Sequence, residues 1–271
     1  MQSLAAVLGR LIVVAVFAFL IGPFVVIAVS SFAVDESLRF PPSGFSLRWY
    51  ADFFQHLAGA PGTKPGLTEA LLTSGGIAVA ASLLSVLVGV LAAYSLARNS
   101  GPGQNLVRSV MTLPIVFPQI VVAIGLLLLF SSLRILPPWA RMVLGHATIC
   151  LPYVVLITSA NFAIFNRSVE EAALGLGAGP IRAFFLVTLP IIRPGLLAAA
   201  AFSFIVSFTN FTMSFFLSAG GIKTLPLWIF EVIDVRLDPM LGVLSVFLVL
   251  VTVTVATVIN RLVGIGRVIA R

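Results

Sequence analysis

The sequence predicts an all-α polytopic membrane protein with six transmembrane helices. Two observations carry that expectation. Of 271 residues, 60% are hydrophobic and only 9% charged, whereas soluble domains carry about 25% charged residues. The mean hydropathy is +1.16, and the apolar residues collect into uncharged runs able to cross about 30 Å of hydrocarbon, which takes about 20 helical residues. Sixteen basic and nine acidic side chains cannot solvate a soluble domain of this size, so a cytosolic enzyme and a disordered chain are both excluded. The net charge is +7, but the Lys and Arg residues are scattered, with none of the clustering that nucleic-acid binding needs. The single cysteine, Cys150, cannot form an internal disulfide, and no Cys/His spacing suggests a metal site.

The six runs are Leu11–Val34, Ala70–Ala97, Ser109–Leu133, Met142–Asn166, Pro194–Ile222 and Pro239–Asn260. None shows the alternating ten-residue pattern of an outer-membrane barrel. The first is too long for a signal-peptide core and is read as a retained helix, kinked at Gly22-Pro23. Six spans put both termini on one side. Nine Lys/Arg and two acids, Glu170 and Glu171, fall on that side, against seven Lys/Arg and seven acids on the other. The net split is +7 against 0, which places both termini in the cytoplasm. Residues 1–271 read as one transmembrane domain, with two long loops: an outer one over Asp35–Thr68 and a cytoplasmic one over 167–193. Long loops in a compact domain are usually functional.

The cytoplasmic loop reads Ser168-Val-Glu-Glu-Ala-Ala-Leu-Gly-Leu-Gly-Ala-Gly-Pro-Ile-Arg182. Ser168 and Glu171 have capping-box spacing, and the two glutamates suit the positive end of a helix. A short helix is expected over Val169–Leu176, ended by Gly177 or Gly179. Pro180 opens a second helix as its first residue, which Pro190 and Pro194 break before the fifth span. The first helix presents Ala172, Ala173, Leu174 and Leu176, an apolar knob that calls for a partner surface.

Glu171-Ala172-Ala173, then Gly177, then Val187-Thr188-Leu189-Pro190 resembles the EAA loop of permease subunits of binding-protein-dependent ABC importers, with Val187 where that family has Ile. The resemblance implies the type I ABC importer permease (MetI-like) fold in a bacterial cytoplasmic (inner) membrane. It implies a coupling helix that docks on an ABC ATPase dimer, with Glu170, Glu171, Ala172, Ala173, Leu174 and Gly177 in that role. It also implies a second, homologous permease chain and an extracytoplasmic binding protein as partners. ATP and Mg would be bound by the ATPase, and no cofactor by this chain. Softer likenesses point to the spermidine/putrescine-type branch: Gly44-Phe-Ser-Leu-Arg-Trp-Tyr50, Gly89 with Ala92-Ala93-Tyr94, Leu113-Pro114 with Pro118, Leu225-Pro226 and Asp238-Pro239.

All nine acids lie outside the six runs, whereas proton-coupled transporters usually bury ionisable groups in their spans. The chain has no GxxxxGK[ST] phosphate loop, so it carries no nucleotide site of that type. The missing intramembrane carboxylates and the motif-bearing cytoplasmic loop weigh against the alternative of an ATP-independent secondary transporter or channel, and the nucleotide site is expected on another polypeptide. The absence of HExxH, Ser/His/Asp or paired-carboxylate constellations in the spans leaves no catalytic residue to assign to a membrane enzyme. His146, near the outer end of span four, reads as an interfacial or helix-bonded imidazole rather than a proton relay. In span five, Ser203, Ser207, Asn210, Ser214 and Ser218 recur at helical spacing, with Phe208, Phe211 and Phe215 beside them. Two readings stay open: a face lining the translocation path, with Ser207, Asn210, Phe211 and Ser214 as its members, or a stripe of small residues for helix packing. Gln119 and Asn161 are isolated cases of the same choice. The spermidine/putrescine branch often has an acidic pair where Thr209 and Asn210 stand. The solute is therefore a small polar molecule of polyamine, amino-acid-like, opine or phosphonate type.

Overall fold

The computed structural model describes residues 2–63, 66–98, 101–133, 136–218, 221–235 and 238–263. Lys64, Arg134, Arg236, Arg267 and Arg271, which entered the charge count, lie outside them. The described residues form helices and connecting turns: α1 (Gln2–Ser30), α2 (Arg48–Ala58), α3 (Leu67–Arg98), α4 (Gln104–Val116), α5 (Gln119–Leu133), α6 (Pro138–Ile164), α7 (Arg167–Gly175), α8 (Pro180–Ala183), a π-helical turn (Phe184–Thr188), α9 (Leu189–Phe208), α10 (Phe211–Leu217), α11 (Leu225–Val235) and α12 (Met240–Val263). They group into two compact units, Met1–Thr68 with Trp228–Thr252, and Glu69–Leu227 with the described part of Val253–Arg271.

In the first unit, α1 contributes a 25-residue apolar span, Ala6–Ser30, and runs through Pro23 as one helix. Its side chains are outward on nearly every face, Phe19 at 80% exposure, as suits contact with hydrocarbon. The chain then turns back on itself. Val34 N–H donates to the Gly44 carbonyl (3.0 Å) and Ser46 N–H to Phe32 (2.6 Å). The Asp35 carboxylate closes the turn by accepting from the Ser43 hydroxyl (2.6 Å) and N–H (2.9 Å), and those two bonds hold its pKa below the ordinary range. The loop over 35–68 carries the amphipathic α2. Trp49 and Phe53 are buried, and Phe53 meets Phe247 of α12 with ring centres 5.3 Å apart. Gly242 lets α12 approach the end of α1, since a Cβ there would lie 3.0 Å from the Ser31 Cα.

The second unit holds the helices on which the site is built. Its core gathers Ile77, Ala123, Phe130, Met142, Ile149, Cys150, Met213 and Leu217. Glycines bring the backbones close: a Cβ at Gly89 would stand 2.7 Å from Val154 Cγ1, and one at Gly195 would overlap the Asn161 side chain. Asn161 is thus a packing residue, its amide donating to the Ile157 carbonyl four residues back (2.7 Å).

Two of the six expected runs are built differently. The third is not one helix. α4 and α5 meet at a 106° bend, because Pro118 forces Phe117 into an extended conformation (φ −79°, ψ 145°). Among the described residues, five helices are individually long and apolar enough to span, and a sixth if the bent pair counts as one. The fifth run begins earlier than Pro194 and ends earlier than Ile222. Apolar helix extends over Pro180–Phe208, so Pro190 and Pro194 do not break it. The π turn before Pro190 shifts the hydrogen-bond register, with Leu189 N–H donating to Phe184 five residues back. That register change leaves room for a ring that would otherwise clash with the preceding turn.

Candidate functional site: the α7 loop and its polar node

α7 starts two residues before the expected point. Asn166, not Ser168, is its N-cap, accepting from Ser168 N–H (3.1 Å) and the Ser168 hydroxyl (2.8 Å). With Ser168 already inside the helix, Glu171 cannot complete a capping box. It instead pairs with Arg167 one turn back at 3.0 Å, both side chains about three-fifths exposed. The C-terminus matches expectation. Gly177 takes φ +87°, its N–H donates to Leu174 (3.0 Å), and Ala178 N–H reaches back to Ala173 (3.1 Å). This pair of bonds is the Schellman closure that a left-handed glycine permits. Pro180 then opens α8.

The two adjacent glutamates face different surroundings, about 100° apart around the helix. Glu171 faces out with Ala172, and Ala173 is half-buried. Leu174 is exposed and Leu176 stands 90% exposed, an apolar surface outside the spans, and Ile181, at the start of the fifth, is 76% exposed. Glu170 is 6% exposed. Its Oε1 accepts from the Tyr94 hydroxyl (2.7 Å), and its Oε2 from Arg98 Nε (3.1 Å), Arg98 Nη2 and the Thr188 hydroxyl (3.1 Å). Burial by itself would raise the Glu170 pKa. The hydrogen bonds from Arg98, Tyr94 and Thr188, with the Arg98 charge, outweigh it and hold the carboxyl below its ordinary value. The Arg98 guanidinium lies 5.4, 5.7 and 5.3 Å from the ring centres of Tyr94, Phe162 and Phe165, in range for cation–π attraction. Residues from α3, the end of α6, α7 and the π turn therefore meet at one carboxylate. Sequence reasoning placed Glu170 beside Glu171 in the docking role and missed this node. The available hint was Tyr94 and Arg98, one turn apart at the end of an apolar run.

The span-five stripe is not one helical face. The helix stops at Phe208 and restarts at Phe211. Asn210 caps the restart, its Oδ1 accepting from Met213 N–H (2.8 Å). Ser207 and Ser214, on either side of the break, are buried against one imidazole: His146 Nδ1 lies 2.9 Å from the Ser207 hydroxyl, and His146 Nε2 3.4 Å from that of Ser214. Ser214 also donates to the Asn210 carbonyl (2.8 Å). Ser203 is buried and its carbonyl accepts from Cys150 Sγ (3.3 Å). Asn210 is half-buried and Phe211 is 36% exposed. Among the described residues, no three His, Cys, Asp or Glu side chains gather as metal ligands.

Multiple apolar spans, a broken fifth span and a short surface helix locked to the span ends define a polytopic membrane protein. Residues 85–265 match the family described as "Binding-protein-dependent transport system inner membrane component", and the chain belongs to that family: it is a permease subunit of an ABC importer. It is 30% identical to the putrescine transport system permease protein PotI of Escherichia coli (strain K12) over 236 residues, 84% of this chain and 81% of the relative. It is 29% identical to the spermidine/putrescine transport system permease protein PotC of the same strain over 251 residues, 90% and 91% of the two chains. Its fold resembles a chain of a bacterial ABC transporter involved in import of the acidic polysaccharide alginate, with a TM-score of 0.71 at 14% identity and 96% of each chain covered.

Proposed function

We propose that this chain forms one half of a translocation path in a bacterial cytoplasmic membrane, paired with a homologous permease chain and supplied by an extracytoplasmic binding protein. Both termini and the α7 loop face the cytoplasm. α7 docks on an ABC ATPase dimer, which holds the ATP and Mg, so that closure of the ATPases moves α7 and the helices fastened to it. The observation that carries this reading is the division of α7. Leu174 and Leu176 are exposed on a loop outside the spans while the neighbouring Glu170 is turned inward. An apolar patch held in fixed geometry, beside the exposed Glu171 and a left-handed Gly177, has the character of a docking surface.

The solute class is that of the two relatives, a small polyamine. The break in span five supports a polar path, because Thr209 and Phe211 are exposed there beside the half-buried Asn210. An amide and an aromatic face can meet an ammonium group where carboxylates are absent. Asn210→Leu is expected to lower uptake of radiolabelled putrescine several-fold while the ATPase still co-purifies. Normal uptake would remove Asn210 from the path.

Labelling tests the orientation. A cysteine at Gly175 should resist an impermeant thiol reagent in intact cells and react in opened vesicles stripped of the ATPase. Rapid reaction from outside would overturn both the topology and the docking reading.

A further inference from the structure

We infer that Glu170 is a positioning residue, a latch that fastens α7 to the end of α3 and to the start of span five so that the three move as one body. The inference rests on the reading that α7 is the docking element, and it separates Glu170 from that docking surface.

Geometry carries the argument. Glu170 is the one carboxylate of α7 that is buried, and its two oxygens are divided between elements. Oε1 takes the Tyr94 hydroxyl of α3, while Oε2 takes the Arg98 guanidinium of α3 and the Thr188 hydroxyl at the end of the π turn. Arg98 is in turn ringed by Tyr94, Phe162 and Phe165, so the cation is confined as well as paired. Thr188 is fully buried and directly precedes α9, which forms most of span five. A displacement of α7 therefore cannot occur by itself without pulling a buried carboxylate off an arginine. That separation is strongly unfavourable in a site with little water. Displacements of α3 and α9 along with α7 keep every bond. The exposed pair Arg167–Glu171 does nothing comparable, because both members belong to α7.

The test uses the assembled complex with nitroxides on cysteines at Ala97, near the end of α3, and Ser168, in the first turn of α7; both residues are exposed. With Glu170 intact, electron–electron distance measurement should give one narrow distribution, unchanged when ATP and vanadate trap the closed ATPases. In Glu170→Gln the ATPase should co-purify at wild-type yield, but the narrow distance should be lost on trapping. Glu170→Asp, which keeps the charge, should recover part of it. If Glu170→Gln does not insert in the membrane, Tyr94→Phe removes the 2.7 Å bond alone and should broaden the distribution less. A narrow, unchanged distance in every assembled variant would overturn the latch. So would loss of ATPase binding in a Glu170→Gln subunit that still inserts, which would return Glu170 to the docking surface. Leu176→Asp serves as the control for the parent reading. If that variant still binds the ATPase, α7 is not the docking element, whatever the distances show.

Discussion

Two polar nodes hold breaks in the second unit, and they are built from opposite materials. At the end of α3, a full ion pair, Arg98–Glu170, secures the α7 loop with help from two hydroxyls. Within the spans, one imidazole, His146, joins the two sides of the α9–α10 break through Ser207 and Ser214. The difference follows from position. At a span end, an ion pair needs only local bonds to offset its desolvation. In the hydrocarbon region a charge is far more costly. A neutral imidazole has one donor and one acceptor nitrogen, and hydroxyls can serve either. The comparison teaches that the α7 node resists separation strongly, whereas the His146 node fixes geometry with bonds of ordinary strength.

That contrast can be broken by removing each centre. Glu170→Ala leaves a buried guanidinium without its anion and should destabilise the subunit by about 3–5 kcal/mol, read as a fall in thermal unfolding temperature in detergent. The effect has a pH signature. A carboxyl whose pKa is lowered on folding contributes stability that is complete above its ordinary value of 4.5 and is lost as the pH falls through the lower folded value. The wild type should therefore lose stability in that acid window, and Glu170→Ala should lack this part of the loss. His146→Leu strands the buried Ser207 hydroxyl, while Ser214 keeps its bond to the Asn210 carbonyl; it should cost about 1–3 kcal/mol and retain the acid step of the α7 node. The smallest effect is expected from Arg167→Ala, because its exposed bond to Glu171 is worth about 0.3–0.5 kcal/mol. If Arg167→Ala matched Glu170→Ala, the distinction between an outward and an inward glutamate would collapse.

The parts that were legible in the sequence are those set by local chemistry. Hydrophobic runs marked the spans, although the bend at Pro118 inside the third was not read from the sequence. Gly177 and Pro180 marked the turn between α7 and α8, because a left-handed residue and a residue without an N–H have few other uses there. The parts that were not legible depend on distant partners. Nothing in Phe208-Thr-Asn-Phe211 demands a break. It lies beside His146, which is 61 residues from Ser207. Pro190 misled in the other direction, since a π turn absorbed a residue that usually ends a helix. Glu170 and Glu171 are chemically identical in the sequence. Only Arg98, 72 residues away, decides which of them is buried.

The central claim is that the α7 loop couples this permease to its ATPase, and Gly177 is the most direct place to test it. Its φ of +87° makes any side chain there cost about 1–2 kcal/mol, with open space around the Cβ position within the chain. The helix itself should survive, because the Asn166 cap and the Glu170 node are untouched. In Gly177→Asp, the subunit should still insert in the membrane. An added carboxylate on an apolar docking face, however, should abolish or sharply weaken co-purification of the ATPase and the stimulation of ATP hydrolysis by loaded binding protein. Gly177→Ala should be milder. Wild-type association together with wild-type stimulation in Gly177→Asp would contradict the account.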